Sequence, residues 1–254
     1  RSYGVTGVQT CALPILIESG MSNVETAEFM RNTYYTSNEK TALAITIANR
    51  ERALLADIDY KNGYSLYVGI PFCPSICLYC SFSSYPLAKW RDKVDAYLDA
   101  LCKELTYIGE TMKVRTLDTI YIGGGTPTTL EPEQLERLLS HIECCFPTRE
   151  VKEYTIEAGR PDSITREKLE VIRKYPVTRI SVNPQTMNQA TLDLIGRRHT
   201  VEDTRHAFAL ARECGFDNIN MDLIVGLPGE CAKDVQKTLE EVKKMEPDSL
   251  TVHS

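Results

Sequence analysis

The chain has 254 residues, 43% of them hydrophobic and 25% charged, an ordinary composition for a folded protein with a sizeable core. Lys and Arg number 29 against 35 Asp and Glu, and the resulting net charge of −6 argues against a nucleic-acid surface, which carries a basic excess or stripe. No apolar run reaches the roughly 18 residues of a membrane-spanning helix. The nine cysteines are one cluster of three plus scattered singles, unlike a secreted disulfide framework, so a reducing cytoplasm is the expected setting.

In chain order, Val5-Thr-Gly-Val-Gln-Thr-Cys-Ala-Leu-Pro-Ile15 reads as the in-frame translation of a sequencing-library adapter. Residues 1–15 are therefore expected to carry no fold information. Residues 16–63 are polar and helix-like, the expected remnant of an N-terminal region. Within them Ala42, Ile45, Ala48 and Leu55 keep a helical period and predict a docking helix over Thr41–Leu55. Asn62-Gly63 then predicts a turn.

From residue 64 onward short β-rich runs alternate with amphipathic helical stretches. The strand candidates are Ser65–Gly69, Thr119–Ile122, Tyr154–Glu157, Thr178–Val182, Asn218–Val225 and Ser249–Val252. Between them run apolar stripes: Val94, Tyr97, Leu98, Leu101, Leu105 and Ile108; then Leu135, Leu138, Leu139 and Ile142; then Val235, Leu239, Val242 and Met245. Strands separated by crossover helices pair in parallel and wind right-handed, which gives an α/β sheet or barrel. Thr200 and Asp203 are placed to form a capping box, and Gly215 to stop the helix after it. With six β units and no helix after the last, the core over 64–254 is expected to be C-terminally truncated.

The chemistry concentrates in Tyr67-Val-Gly-Ile-Pro-Phe-Cys73-Pro-Ser-Ile-Cys77-Leu-Tyr79-Cys80-Ser-Phe82. Thiolates at i, i+4 and i+7 can converge on one soft metal centre. A tetrahedral zinc site wants a fourth Cys or His nearby, and none follows at finger-like spacing. Pro71 and Pro74 stiffen the loop, and Tyr79 and Phe82 offer aromatic cover. Cys102, Cys144, Cys145, Cys214 and Cys231 sit in or beside helical stretches and read as buried thiols.

Ile122-Gly-Gly-Gly-Thr-Pro-Thr128 follows the second strand, and its glycines let backbone groups approach a ligand unobstructed. Polar residues then stand at or beyond later strand ends: Glu157, Gln185, Arg197 and Asp222. Ligands of α/β enzymes bind at that end. Asp222 interrupts an apolar strand and so needs a partner. Arg160 and Arg197 have the charge and place to pair with ligand carboxylates. His199, His206 and His253 show no ligand-like spacing.

The C-x3-C-x2-C loop resembles the signature of the radical S-adenosylmethionine (SAM) enzymes. The wider set resembles the oxygen-independent coproporphyrinogen III oxidases, most closely their HemZ-type branch. That set includes Ile156-Glu-Ala-Gly-Arg-Pro161, Arg179-Ile-Ser-Val-Asn-Pro-Gln185, Arg197-Arg-His-Thr200 and Asn220-Met-Asp222 to Gly229. The resemblance implies a partial (β/α)6 TIM-like barrel of the radical SAM type, with Cys73, Cys77 and Cys80 on three irons of a [4Fe–4S] cluster. One or two SAM molecules would be contacted by Tyr67, Tyr79, Gly124, Gly125, Thr126, Glu157, Gln185, Arg197 and Asp222. The implied reaction converts two propionates of a porphyrinogen to vinyl groups in porphyrin and haem biosynthesis, giving protoporphyrinogen IX. An electron donor such as flavodoxin or ferredoxin is implied with it.

Two positions depart from the oxidase pattern. The oxidases carry a further Cys two residues after the third ligand and a His two residues after the strand Tyr; this chain has Phe82 and Gly69 there. Sister branches that carry haem, or use it as substrate, share these departures. A haem-binding or haem-trafficking protein is the alternative reading.

Overall fold

The computed structural model describes residues 16–59 and 61–254, so the stretch read as adapter-derived lies outside the described residues. Two compact units divide the chain between Gly63 and Tyr64.

The described part of the first unit is helical, with two long helices after a helical turn at residues 16–18. Helix α1 (Asn23–Tyr34) opens on a capping box in which the Glu25 carboxylate accepts from the Ser22 N–H at 2.8 Å. Helix α2 (Asn38–Leu55) is capped by Ser37. Ile17, Met30 and Ala48 form their shared core, with Tyr34, Ala44 and Ile45 packed against it. The helix foreseen over Thr41–Leu55 is therefore present and begins at Asn38. Its inward face differs in part: Thr41 and Ala48 are buried, whereas Ala42 is exposed.

The second unit carries all six expected strands. Strand β1 (Tyr64–Ile70) is followed by two short strands, β2 (Phe72–Cys73) and β3 (Tyr85–Pro86), which pair with each other. Then come β4 (Leu117–Gly124), β5 (Glu153–Glu157), β6 (Arg179–Ser181), β7 (Ile219–Ile224) and β8 (Ser249–His253). The main sheet runs β1-β4-β5-β6-β7-β8, with every neighbouring pair parallel. Helices fill the crossovers: α3 (Leu87–Trp90) and α4 (Val94–Thr111), α5 (Pro132–Cys145), α6 (Arg166–Arg173), α7 (Gln189–Leu194) and α8 (Val201–Glu213), and α9 (Ala232–Met245). This is a partial (β/α)6 barrel.

Alternation along the strands decides which side of the sheet is dry. Leu66, Val68 and Ile70 of β1, Ile120 and Ile122 of β4, and Tyr154 and Ile156 of β5 are all buried in one apolar cluster. Leu98 and Leu105 of α4 and Leu135, Leu138, Leu139 and Ile142 of α5 belong to the same cluster. Each such side chain contributes about 1.5–3 kcal/mol by leaving water. Residues of opposite parity, among them Tyr67, Tyr121, Glu157, Asn220 and Asp222, are thereby directed to the other face. That face is polar where the first is oily, and it carries the site.

Helix ends follow their local chemistry. Thr200 and Asp203 form the expected capping box of α8, and Gly215 takes φ +84° just beyond that helix. Two expectations need correction. Of the stripe on α9 only Val242 is buried, while Leu239 is 43% exposed. Strand β8, which follows α9, has a neighbour on one side only, so less apolar surface is available to cover that helix. Among the scattered cysteines of the described residues only Cys102 is buried; Cys144 and Cys231 are exposed, and Cys231 serves as the N-cap of α9.

Candidate functional site

The cysteine loop leaves β1 and is tied at its base. The Gly125 N–H donates to Ile70 O at 2.7 Å, the Thr126 N–H to Phe72 O at 2.8 Å, and the Tyr85 N–H to Pro71 O at 2.7 Å. A Cβ on Gly125 would stand 2.7 Å from Phe72 O and 2.9 Å from Ile70 O, both backbone atoms. Glycine is thus the residue that lets the two loops touch. Gly124 takes φ +105°, a conformation that favours glycine. The far side of the loop is tied as well: the Leu78 N–H donates to Ile195 O at 2.9 Å, and Ser75 Oγ to Gly196 O at 2.8 Å.

All three thiols are free, and each is half-buried. Thr126 Oγ1 lies 3.5 Å from Cys73 Sγ, and Arg160 Nη1 donates to Cys77 Sγ at 3.6 Å. Burial pushes the Cys73 thiol up, and the Thr126 hydroxyl opposes that shift. Arg160 itself is buried, with Nε and Nη2 each 2.9 Å from Asp162 carboxylate oxygens. Its fork is therefore engaged within the chain, on Asp162, Ser75 and Cys77, while the residue also lines the cleft that holds the three thiols.

The strand ends supply the remaining walls. Glu157 closes β5, and its carboxylate accepts from the Tyr121 hydroxyl. Burial raises the Glu157 pKa, as does the nearby Asp222 charge, while the Tyr121 and Gly124 hydrogen bonds lower it. Asp222 finds the partner its placement demanded: Asn220 Nδ2 donates to Oδ1 at 2.7 Å. Gln185 takes φ +67°, rare for a residue with a side chain, and extends the ladder beside Leu223. Its N–H donates to Asp222 O at 3.0 Å, and its own carbonyl accepts from the Ile224 N–H at 2.9 Å. Such strain persists where surroundings over-determine it, often at ligand sites.

One cleft gathers nearly all of the residues singled out from sequence. Cys73, Cys77, Cys80, Tyr79, Gly124, Gly125, Thr126, Glu157, Gln185, Arg197 and Asp222 line a space of about 990 Å³, its open mouth included. Tyr67 does not line it; its ring stacks on Tyr121 at 5.7 Å and stays 61% exposed. Phe82 reaches the rim but is 67% exposed, so the aromatic cover expected of it is not made. Sequence reasoning missed Tyr121, Asn183 and Ser75. Asn183 lay in a quoted motif, and its carbonyl accepts from Arg197 Nη1.

The donor set suits an iron–sulfur cluster: three free thiols from one loop line the cleft, and clusters of this kind are held by Cys thiolates. Two buried polar atoms of this cleft, Gln185 Oε1 and Arg197 Nε, have no hydrogen-bond partner. Buried groups of that kind are costly unless a ligand meets them. Polar atoms beside a thiol cluster and open glycine backbone fit the polar end of SAM.

Comparison with known proteins agrees. The model of the radical SAM superfamily matches residues 67–242. The chain belongs to the radical SAM superfamily. It is 42% identical over 260 residues to the oxygen-independent coproporphyrinogen-III oxidase-like protein HemZ of Bacillus subtilis, covering 100% of this chain and 52% of that protein. It is 38% identical over 191 residues to the heme chaperone HemW of the same organism, covering 75% of this chain and 50% of HemW. Among solved structures, coproporphyrinogen III oxidase (HemN) from Escherichia coli, a radical SAM enzyme, superposes with a TM-score of 0.69 at 32% identity. That match covers 80% of this chain and 46% of HemN. The chain spans about half the length of the curated relatives it matches. Membership of the superfamily implies a [4Fe–4S] cluster and SAM.

Proposed function

We propose that this chain is the radical-generating core of an enzyme that oxidatively decarboxylates propionate side chains of coproporphyrinogen III to vinyl groups, giving protoporphyrinogen IX. The observation that carries the reading is the convergence of three free thiols, an open glycine loop and the unpartnered Gln185 and Arg197 atoms in one cleft. Cys73, Cys77 and Cys80 would hold the cluster and leave its fourth iron to SAM. When bound, this pair supplies the one-electron chemistry that breaks a C–H bond of the substrate.

The residues of the chain bind and orient. The carboxylates of Glu157 and Asp222 face the cleft as acceptors for the amino and hydroxyl groups of SAM. Arg197, buried and with Nε lacking a partner, would hold its carboxylate, and the backbone of Gly124 to Thr126 would hold its methionyl part. Tyr79 closes the near rim. Tyr67, outside the lining, acts through Tyr121. A flavodoxin or ferredoxin in the cytoplasm would deliver the electron.

A haem-binding or haem-trafficking protein is the second reading, favoured by the exposed Phe82 where the oxidases have a Cys, and by the likeness to HemW. One experiment separates them. The complete gene product, reconstituted anaerobically, is given SAM, reduced flavodoxin and coproporphyrinogen III, and 5′-deoxyadenosine and protoporphyrinogen are measured. Formation of both supports the oxidase. Stoichiometric haem binding without protoporphyrinogen turns the conclusion to the second reading.

A further inference from the structure

Arg160, three residues beyond the end of β5, reaches the cysteine loop. We infer that Arg160 is a positioning residue that tunes the iron–sulfur centre, raising its reduction potential through an N–H bond to the Cys77 ligand. The inference rests on the cluster reading above and concerns a residue that reading leaves without a role.

The geometry is specific. Arg160 is 3% exposed, and its guanidinium is held edge-on by Asp162, with Nε–Oδ1 and Nη2–Oδ2 both 2.9 Å. This two-point clamp fixes the plane of the fork and leaves Nη1 directed at the loop. There Nη1 donates to Ser75 Oγ at 3.1 Å and to Cys77 Sγ at 3.6 Å, within the range of a bond to sulfur. Ser75 in turn donates to Gly196 O at 2.8 Å, so the same guanidinium braces the loop against the turn that carries Arg197. Burial opposes ionisation of Asp162, yet the Arg160 hydrogen bonds outweigh it and hold its pKa below the usual carboxylate value. The clamp is thus charged at neutral pH.

The consequence follows from charge. Reduction adds one negative charge to the cluster and its thiolates. A fixed cation with an N–H on a ligand sulfur stabilises that extra charge, and hydrogen bonds to sulfur are among the main determinants of cluster potential. The Asp162 carboxylate offsets part of the field at long range, but Nη1 is the atom at the sulfur. Lysine would not reproduce this, because an ammonium lacks the planar fork that grips Asp162 while reaching Cys77. Of the other two thiols, Cys73 has the neutral Thr126 hydroxyl beside it at 3.5 Å and feels Arg160 only through its charge.

The test is the midpoint potential of the one-electron couple, followed by electron paramagnetic resonance in the anaerobically reconstituted full chain, with iron and sulfide content measured in parallel. Arg160→Gln is expected to lower the potential so that the reduced-to-oxidised ratio at a fixed poise falls about tenfold, about 59 mV for one electron. A cluster-loaded Arg160→Gln protein with the wild-type potential overturns the inference. If Arg160→Gln fails to load, Arg160→Lys decides: a loaded cluster with a lowered potential supports the inference, and an unchanged potential overturns it. Failure of the wild-type chain to bind any cluster would sink the cluster reading itself, which iron analysis alone reveals.

Discussion

The hydroxyl of Tyr121 donates to Oε1 of Glu157, and the two side chains come from adjacent strands of the main sheet. Tyr67 stacks on the Tyr121 ring at 5.7 Å with the planes 10° apart, so the donor is held from behind. Gly123, next to this pair, has no room for a side chain: a Cβ there would stand 2.6 Å from Tyr121 and 3.0 Å from Glu157. Burial and the Glu157 charge both raise the Tyr121 pKa, which keeps its proton available for this bond. Together these residues aim a carboxylate into the cleft.

Tyr121→Phe should therefore weaken SAM binding without unfolding the protein. A hydrogen bond to a charged group contributes about 1.5–3 kcal/mol, so a loss of roughly tenfold or more in affinity is expected. The loss should grow as pH falls. Glu157 already has a raised pKa from burial and Asp222, and removing a donor that lowers it moves ionisation to higher pH. Calorimetric titration of the reconstituted protein with SAM across pH checks both statements. An affinity equal to wild type at every pH would show that Tyr121 does not set the state of Glu157.

Gly125→Ala addresses the join between the two loops. Its Cβ would meet backbone atoms of Ile70, Pro71 and Phe72 at 2.7–2.9 Å, and none of them is the free end of a side chain. Relief requires the loops to part, breaking the Gly125–Ile70 and Thr126–Phe72 hydrogen bonds. Overpacking of this kind costs about 1–3 kcal/mol. The expected result is lower iron incorporation together with a reduced urea midpoint; full iron loading at wild-type stability would contradict it.

Much of this was readable in the sequence, for identifiable reasons. The six main strands and the stripes on α4 and α5 stood out because each repeats its period over several residues. Asp222 was legible because a carboxylate in an apolar strand demands a partner. Strands β2 and β3 were not, since two residues each leave no period to read. Tyr121 looked like any strand aromatic until the register set it beside Tyr67. Gln185 carries no turn signature, so its left-handed backbone is imposed by the ladder on β7. The engagement of Arg160 with Ser75, 85 residues away in the chain, lies beyond any local pattern.

Arg197 separates binding from folding. It is buried, its Nη1 donates to the Asn183 carbonyl, and its Nε has no partner. Arg197→Lys keeps a charge and loses the planar fork. We expect SAM affinity to fall by tenfold or more with little change in iron content. Equal SAM affinity in a loaded Arg197→Lys protein would remove Arg197 from the cofactor site.

His199 makes the acid stability of the second unit predictable. The ring is 1% exposed, and neither nitrogen has a hydrogen-bond partner. Burial, then Arg197 and Arg160, lower its pKa to about 4, against the pull of Asp162 and Asp203. The unfolded chain binds the proton near pH 6.5 and the folded one only near 4, so between these values the unfolded state holds more protons. The contribution of His199 is fully present above about 6.5 and is lost as pH falls toward 4, about 3 kcal/mol in all. His199→Phe fills similar space and has no proton to bind. Its urea midpoint should stay near wild type at pH 7.5 and exceed wild type at pH 4.5, where the native ring resists charging. Parallel pH profiles for the two proteins would mean that His199 takes up its proton at the same pH folded as unfolded, and that its burial beside Arg197 does not lower its pKa.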